Sequence, residues 1–135
     1  MSAVYVVDAG AAVALARQWH DVDGDRFELF APTLLRSQVL ALLRREAATQ
    51  GGDPATLLEL AQSACRLPRR LLGDAVLRQT AWNLALSNEW ESTYDAEYIA
   101  LTQLHGTALV ATDPDLRARA EGLVDVCSVA DLIAP

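Results

Sequence analysis

The sequence predicts an α/β fold in which a parallel sheet is flanked by helices. Three observations carry that expectation: apolar strand-like runs without polar alternation, helix-forming segments between them, and aspartates standing at the ends of the runs. Ala3-Val4-Tyr5-Val6-Val7 ends at Asp8, and Ala108-Leu109-Val110-Ala111-Thr112 ends at Asp113. A strand covered by helices on both faces reads as an unbroken apolar run, and strands that alternate with helices select a parallel sheet.

The elements follow in order. Residues 3–7 form the first strand, and the alanine-rich stretch 10–18 is a strong helix former directly after Asp8. Asp21 to Asp25 is a turn, and Phe27-Glu28-Leu29-Phe30 is a short strand. Pro32 suits the first turn of a helix reaching to about Thr49, because a first-turn residue needs no N–H. Gly51-Gly52 stop that helix, and Asp53-Pro54 supply N-cap and first residue of the next, through Arg66. Residues 68–72 cross the sheet edge, and Gly73-Asp74 lead into a helix ending near Ser87. Another helix spans 94–104, with Ser92 and Asp95 spaced as a capping box, and His105-Gly106 end it. Residues 107–112 are a second buried strand, Pro114 opens a helix to about Ala120, 124–127 form the last strand, and 129–133 a terminal helix. With no repeat, linker or low-complexity segment, residues 1–135 read as one domain.

Composition narrows the class. The chain is 52% hydrophobic and 21% charged, which suits a folded domain with a core. No stretch approaches the roughly 18 apolar residues of a membrane helix, and Met1-Ser2 leads into the first strand without a basic leader, so a cytoplasmic protein is expected. Cys65 and Cys127 form no CxxC pair, so they read as two buried thiols in a reducing compartment. All 11 basic residues are arginine, and the net charge is −7. Such a balance opposes broad attraction to nucleic acid, so a polyanionic substrate needs a local arginine patch and a bound cation.

Asp8, Asp95 and Asp113 each stand at the edge of an apolar segment, and two of them follow strands. Open α/β sheets bind ligands in the crevice at their strand C-termini. Two carboxylates 4 Å apart repel by about 4 kcal/mol at an effective dielectric of 20, so a shared pocket calls for protonation, hydrogen bonds or a cation. Oxygen-only donors favour Mg²⁺, with Mn²⁺ as second choice, over zinc. Each aspartate also has a plainer role. Asp8 can cap the following helix, Asp95 can complement a helix dipole, and Asp113 and Asp115 flank Pro114 at a helix start.

The segments Val7-Asp8-Ala9, Tyr94-Asp95-Ala96-Glu97-Tyr98-Ile99-Ala100-Leu101 and Ala111-Thr112-Asp113-Pro114-Asp115-Leu116 resemble the acidic motifs of PIN-domain ribonucleases, above all VapC-type toxins of bacterial toxin–antitoxin pairs. Ala31 to Val39 resembles that family's second motif, and the likeness spans nearly the whole chain in motif order. It implies a PIN-like three-layer α/β/α sandwich with a central parallel sheet. It further implies an Mg²⁺-dependent endoribonuclease toxin that cleaves single-stranded RNA, a cognate antitoxin that neutralises it, and a homodimer or toxin–antitoxin hetero-oligomer. Asp8, Asp95 and Asp113 would be metal ligands and catalytic residues, Gln38 a fourth catalytic position, and Asp115 a secondary ligand.

The chain departs from the family at two places. Gln38 stands where the second motif supplies glutamate, and Ala111 where a threonine is usual, with Thr112 adjacent. Gln38 lies among Leu34, Leu35 and Leu42 at helical spacing, so it faces a pocket or is a core amide with its own partner. Its missing charge opens the alternative of a PIN-fold protein that binds RNA or an antitoxin but cleaves weakly or not at all. Glu46, two turns on, reads as solvated. Arg36, Arg44, Arg45, Arg66, Arg69 and Arg70 are candidates for phosphate contact, first whichever borders the aspartates. Trp19, Trp82 and Trp90 read as packing anchors. A phosphoacceptor domain would want a lysine, and a haloacid-dehalogenase-type phosphatase would want Asp-x-Asp after the first strand; this chain has neither.

Overall fold

The central sheet has five parallel strands in the order β3-β2-β1-β4-β5. The structure is a computed structural model that describes residues 2–133, so Met1, Ala134 and Pro135 of the expected single domain lie outside the described residues. Along the chain β1 (Ala3–Val7), α1 (Ala9–Arg17), β2 (Phe27–Pro32), α2 (Leu35–Gln50), α3 (Pro54–Arg66) and β3 (Arg70–Leu72) build one half. The other half is α4 (Ala75–Ser87), α5 (Tyr94–His105), β4 (Ala108–Val110), α6 (Pro114–Ala120) and β5 (Val126–Cys127). Right-handed crossovers put α1, α2 and α3 on one face and α4, α5 and α6 on the other. The packing agrees: α1, α2 and α3 contact one another, while α5 touches β1, β2 and β4 and meets α4 and α6. The expected three-layer α/β/α sandwich is the fold.

Strand order explains where a site can form. From β1 the chain runs outward to β2 and β3, then returns to place β4 on the opposite side of β1. Connections therefore leave the C-terminal ends of β1 and β4 toward opposite layers and open a crevice between them. The core beneath is dry: Val6, Val7, Leu109 and Val110 of the sheet are fully buried, with Leu15, Leu35 and Val39 below and Ile99, Leu101 and Leu116 above.

Helix ends follow local chemistry. Asp53 accepts from the Thr56 N–H at 3.0 Å and caps α3, whose first residue is Pro54; Gly51 ends α2 at φ 74°, a left-handed conformation suited to glycine. Asp74 caps α4 through the Leu77 N–H at 2.8 Å. Gly10 permits a close approach, since a Cβ there would lie 1.9 Å from Thr112 Oγ1.

Several boundaries differ from expectation. Pro32 closes β2 instead of opening α2, because its missing N–H costs nothing where β1–β2 pairing ends at Phe30, while Thr33 N–H bonds Leu72 C=O at 2.9 Å. Ser92 and Asp95 form no capping box; Ser92 Oγ accepts from the Tyr94 N–H at 3.1 Å and α5 starts after Thr93 without a side-chain cap. A capping box does occur at Ser128 and Asp131. The strand expected over 107–112 pairs only at 108–110, and Ala111 and Thr112 leave the sheet toward Asp8. The last strand is confined to Val126–Cys127, and the terminal helix is a 3₁₀ turn, Val129–Leu132. Trp82 is 60% exposed on α4 and anchors no core. Glu46 is not merely solvated, because Arg17 of α1 donates to it at 2.7 Å. No helix among the described residues is long and apolar enough to cross a membrane.

Two predictions follow from this packing. Gly10→Ala should destabilise the protein by about 1–3 kcal/mol, the usual cost of overpacking. The loss should shrink in a Thr112→Ala background, as thermal denaturation of the double-mutant set will show. For Asp53, bonds from the Thr56 hydroxyl and N–H hold the carboxyl below its ordinary pKa. A depressed pKa contributes stability that is present above the unfolded value and lost as pH falls through the folded one. Asp53→Ala should therefore lower Tm at neutral pH, with the gap to the parent protein closing as the pH drops below the ordinary aspartate range.

Candidate functional site

Asp8, Asp95 and Asp113, which lie far apart in the sequence, line one open cleft of about 530 Å³ at the C-terminal edge of the sheet. Gln38, Arg45 and Tyr98 line it as well, with Gly10, Thr112 and the apolar Ala41, Leu42 and Leu116. The cleft stands over the crevice between β1 and β4, where chain topology concentrates strand ends and helix starts.

Asp8 is the anchor. It is 4% exposed, and its Oδ1 accepts from the Ala11 N–H at 2.8 Å. Its Oδ2 accepts from the N–H groups of Thr112 at 2.9 Å and Asp113 at 3.1 Å. The plainer capping role is therefore real, and the same carboxylate also faces the cleft and ties α1 to the loop after β4. Burial raises its pKa, the three N–H bonds pull it back, and the Asp113 charge raises it further. A group with a raised pKa contributes stability that is full below the unfolded value and lost as pH rises through the folded one. Burial and the Asp113 charge thus both work against the ionised form of Asp8, a cost that a cation would relieve.

Asp113 is exposed at the N-cap position of α6, yet its carboxylate caps nothing; its N–H is held by Asp8 and its C=O accepts from the Arg117 N–H at 3.0 Å. That removes the plain helix-start explanation for this side chain. Asp95 is half-buried on the first turn of α5 and bonds Arg119 Nη1 at 2.7 Å. Desolvation raises its pKa, the Arg119 bond and charge lower it, and Asp113 and Asp115 add repulsion. Asp115 is exposed on the first turn of α6 and does not line the cleft, so the structure does not bring it into the ligand set. It acts on Asp95 only through its charge.

Gln38 reaches the cleft from α2 and meets α5: the Tyr98 hydroxyl donates to Gln38 Oε1 at 2.6 Å. Gln38 takes the pocket position and not the core one: it is half-buried in the cleft lining, with Tyr98 as its partner. Burial together with Asp8, Glu97 and Asp95 pushes the Tyr98 hydroxyl far above its ordinary pKa, so it remains a donor and cannot serve as a base. Of the arginines proposed for phosphate contact, Arg45 is the one that lines the cleft.

The donor chemistry fits a hard divalent cation: oxygen donors only, repelling carboxylates, and an open wall for solvent or substrate. The site is not a closed cage. Among the described residues no three carboxylate, imidazole or thiol groups stand close enough to hold a metal ion as they are. Asp8 is committed to backbone N–H groups and Asp95 to Arg119, which leaves Asp113 as the free carboxylate.

Sequence reasoning missed three contributors. Tyr98 stands three residues after Asp95, on the same helical face, and that spacing was a usable signal. Gly10 and Arg119 carried none, since their partners, Thr112 and Asp95, come from distant parts of the chain.

No protein-family model matches this sequence, and no curated protein matches it. A solved structure does share its architecture. The crystal structure of PAE2754 from Pyrobaculum aerophilum superposes with a TM-score of 0.76, at 24% identity, over 98% of this chain and 95% of that one. At that identity the likeness extends to the fold alone: a parallel five-stranded α/β/α sandwich.

Proposed function

We propose that the cleft is the active site of an Mg²⁺-dependent endoribonuclease that cleaves single-stranded RNA, and that the chain is a toxin neutralised by a cognate antitoxin. The convergence of Asp8, Asp95 and Asp113 on one cleft at the topological switch point carries this reading. The resemblance of the segments around them to PIN-domain ribonucleases supplies the substrate class. The antitoxin and the homodimer or toxin–antitoxin hetero-oligomer rest on that resemblance; the cytoplasmic setting rests on the expectation from the sequence. Leu40 on α2 and Leu58 on α3, 53% and 49% exposed, leave an apolar patch on which a partner would seat.

The residues divide the work. Asp113, with its free carboxylate, and Asp95, once released from Arg119, would hold Mg²⁺ beside Asp8; Mn²⁺ would fit the same donors. When bound, the ion supplies Lewis-acid polarisation and neutralises charge developing on a phosphoryl group. Asp8 is held in one orientation by its three N–H bonds. Arg45 offers a planar fork to a phosphate at the mouth of the cleft, the local positive charge that a chain of net charge −7 requires. Tyr98 fixes the rotamer of Gln38, which brings an amide oxygen rather than a fourth negative charge.

A second reading is favoured by that amide and by the prior engagement of Asp95: a PIN-fold protein that binds RNA or its antitoxin and cleaves weakly. Cleavage of a single-stranded RNA with Mg²⁺ should fall by at least about 10²-fold in Asp8→Asn and in Asp113→Asn, the scale on which removing a stabilising group acts. Equal cleavage in all three proteins would assign the activity elsewhere. Gln38→Glu should increase the rate, because the Tyr98 hydroxyl can donate to a carboxylate as it does to the amide; an unchanged rate would remove Gln38 from the site. Arg45→Gln should raise KM more than it lowers kcat, and a pure kcat loss would contradict the phosphate role.

A further inference from the structure

Asp95 does not wait in the cleft as a bare carboxylate. Arg119 Nη1, from the last turn of α6, donates to Asp95 Oδ2 at 2.7 Å, and the Arg119 guanidinium carbon lies 5.7 Å from the centre of the Trp90 ring. The Asp95 side chain is 18% exposed and that of Arg119 40%, so the pair is partly open to solvent; Asp95 lines the cleft and Arg119 does not. Three separate pieces meet here: the first turn of α5, the end of α6 and the connection between α4 and α5. The connection is held in place. Glu89, immediately before Trp90, has φ 55°, the left-handed conformation common just past a helix C-terminus. The Trp90 N–H then bonds Ala85 C=O at 2.9 Å, which fixes the backbone that carries the ring.

We propose that Arg119, braced on Trp90, is a built-in counter-ion of the cleft that a divalent cation must displace from Asp95. The proposal rests on the metal-dependent reading above and deepens it by naming what regulates occupancy. Arg119 holds Asp95 Oδ2, and a second positive charge brought to the same carboxylate is repelled by the guanidinium. The pair is well suited to be displaced. It is partly exposed, so solvent screens it, and the face of Trp90 gives the released guanidinium somewhere to remain. It also accounts for an acidic cleft that is not assembled as a metal cage: the chain supplies its own cation to one of the three carboxylates. Arg119 is a positioning residue in this scheme, acting through Asp95 and not on substrate.

The test is Mg²⁺ binding to the full chain by calorimetry, with tryptophan fluorescence as an independent readout. Arg119→Gln should tighten Mg²⁺ about tenfold, equivalent to 1.4 kcal/mol. Trp90→Leu should tighten it less but in the same direction, and Arg119→Lys, which keeps the charge without the fork, should fall between the parent protein and Arg119→Gln. Mg²⁺ added to the parent protein should change the emission of Trp90, a signal absent from Trp90→Leu and from Arg119→Gln. If the parent protein binds Mg²⁺ in a manner abolished by Asp113→Asn, and Arg119→Gln binds equally or more weakly, the counter-ion role is wrong while the metal site stands. If neither the parent protein nor Arg119→Gln binds Mg²⁺, the metal-dependent reading falls and takes this one with it. Should Arg119→Gln fail to fold, Trp90→Leu decides, since it leaves the charge in place and loosens only the brace.

Discussion

A single buried carboxylate holds the functional end of this molecule together. Asp8 takes N–H bonds from the first turn of α1 and from the loop after β4, so one side chain fixes the relation between the two strands that bound the crevice. Bonds from N–H groups to an ionised carboxylate are stronger than neutral ones, and the start of α1 adds a favourable dipole. Neighbouring contacts serve the same junction. Gly10 lets α1 come against Thr112, and Arg117 donates to the C=O groups of Ala111 at 2.7 Å and Cys127 at 3.1 Å, tying the ends of β4 and β5. The exposed Asp113 owes its place to this scaffold.

Across the cleft a second bond joins the two helical layers. Tyr98 of α5 and Gln38 of α2 meet over the sheet edge, and the hydroxyl would serve a glutamate equally well. The position is therefore organised for an oxygen acceptor whatever its charge. Substituting glutamine for glutamate there removes charge while leaving the geometry in place. Electrostatics and architecture are separable at this residue, whereas at Asp8 they are one property.

Most of the fold could be read from the chain because its signals are local. Asp53-Pro54 and Gly51 mark the start of α3 and the end of α2 by chemistry that needs no tertiary partner, and the dry runs at β1 and β4 announce a covered parallel sheet. Pro32 misled for a physical reason: proline is tolerated at a helix start and equally at a strand position whose N–H faces no acceptor, and only pairing with β3 decides between them. Asp8 and Asp113 were visible as strand-end carboxylates. What Asp95 does was not, because Ser92 three residues before it mimicked a cap while its true partner, Arg119, lies 24 residues away. The cleft's members were legible one at a time; their engagements depend on long-range pairing that leaves no periodic trace.

Asp8 is made well before its partners. Its N–H donors Thr112 and Asp113 follow it by 104 and 105 residues, and β4, the strand that completes the crevice, precedes them immediately. A ribosome-bound chain that has not yet extended past α5 can pair β1 with β2 and β3 but has no second wall for the cleft. Whatever chemistry that end of the sheet performs is thereby withheld from the nascent protein until β4 and the loop after it have been made.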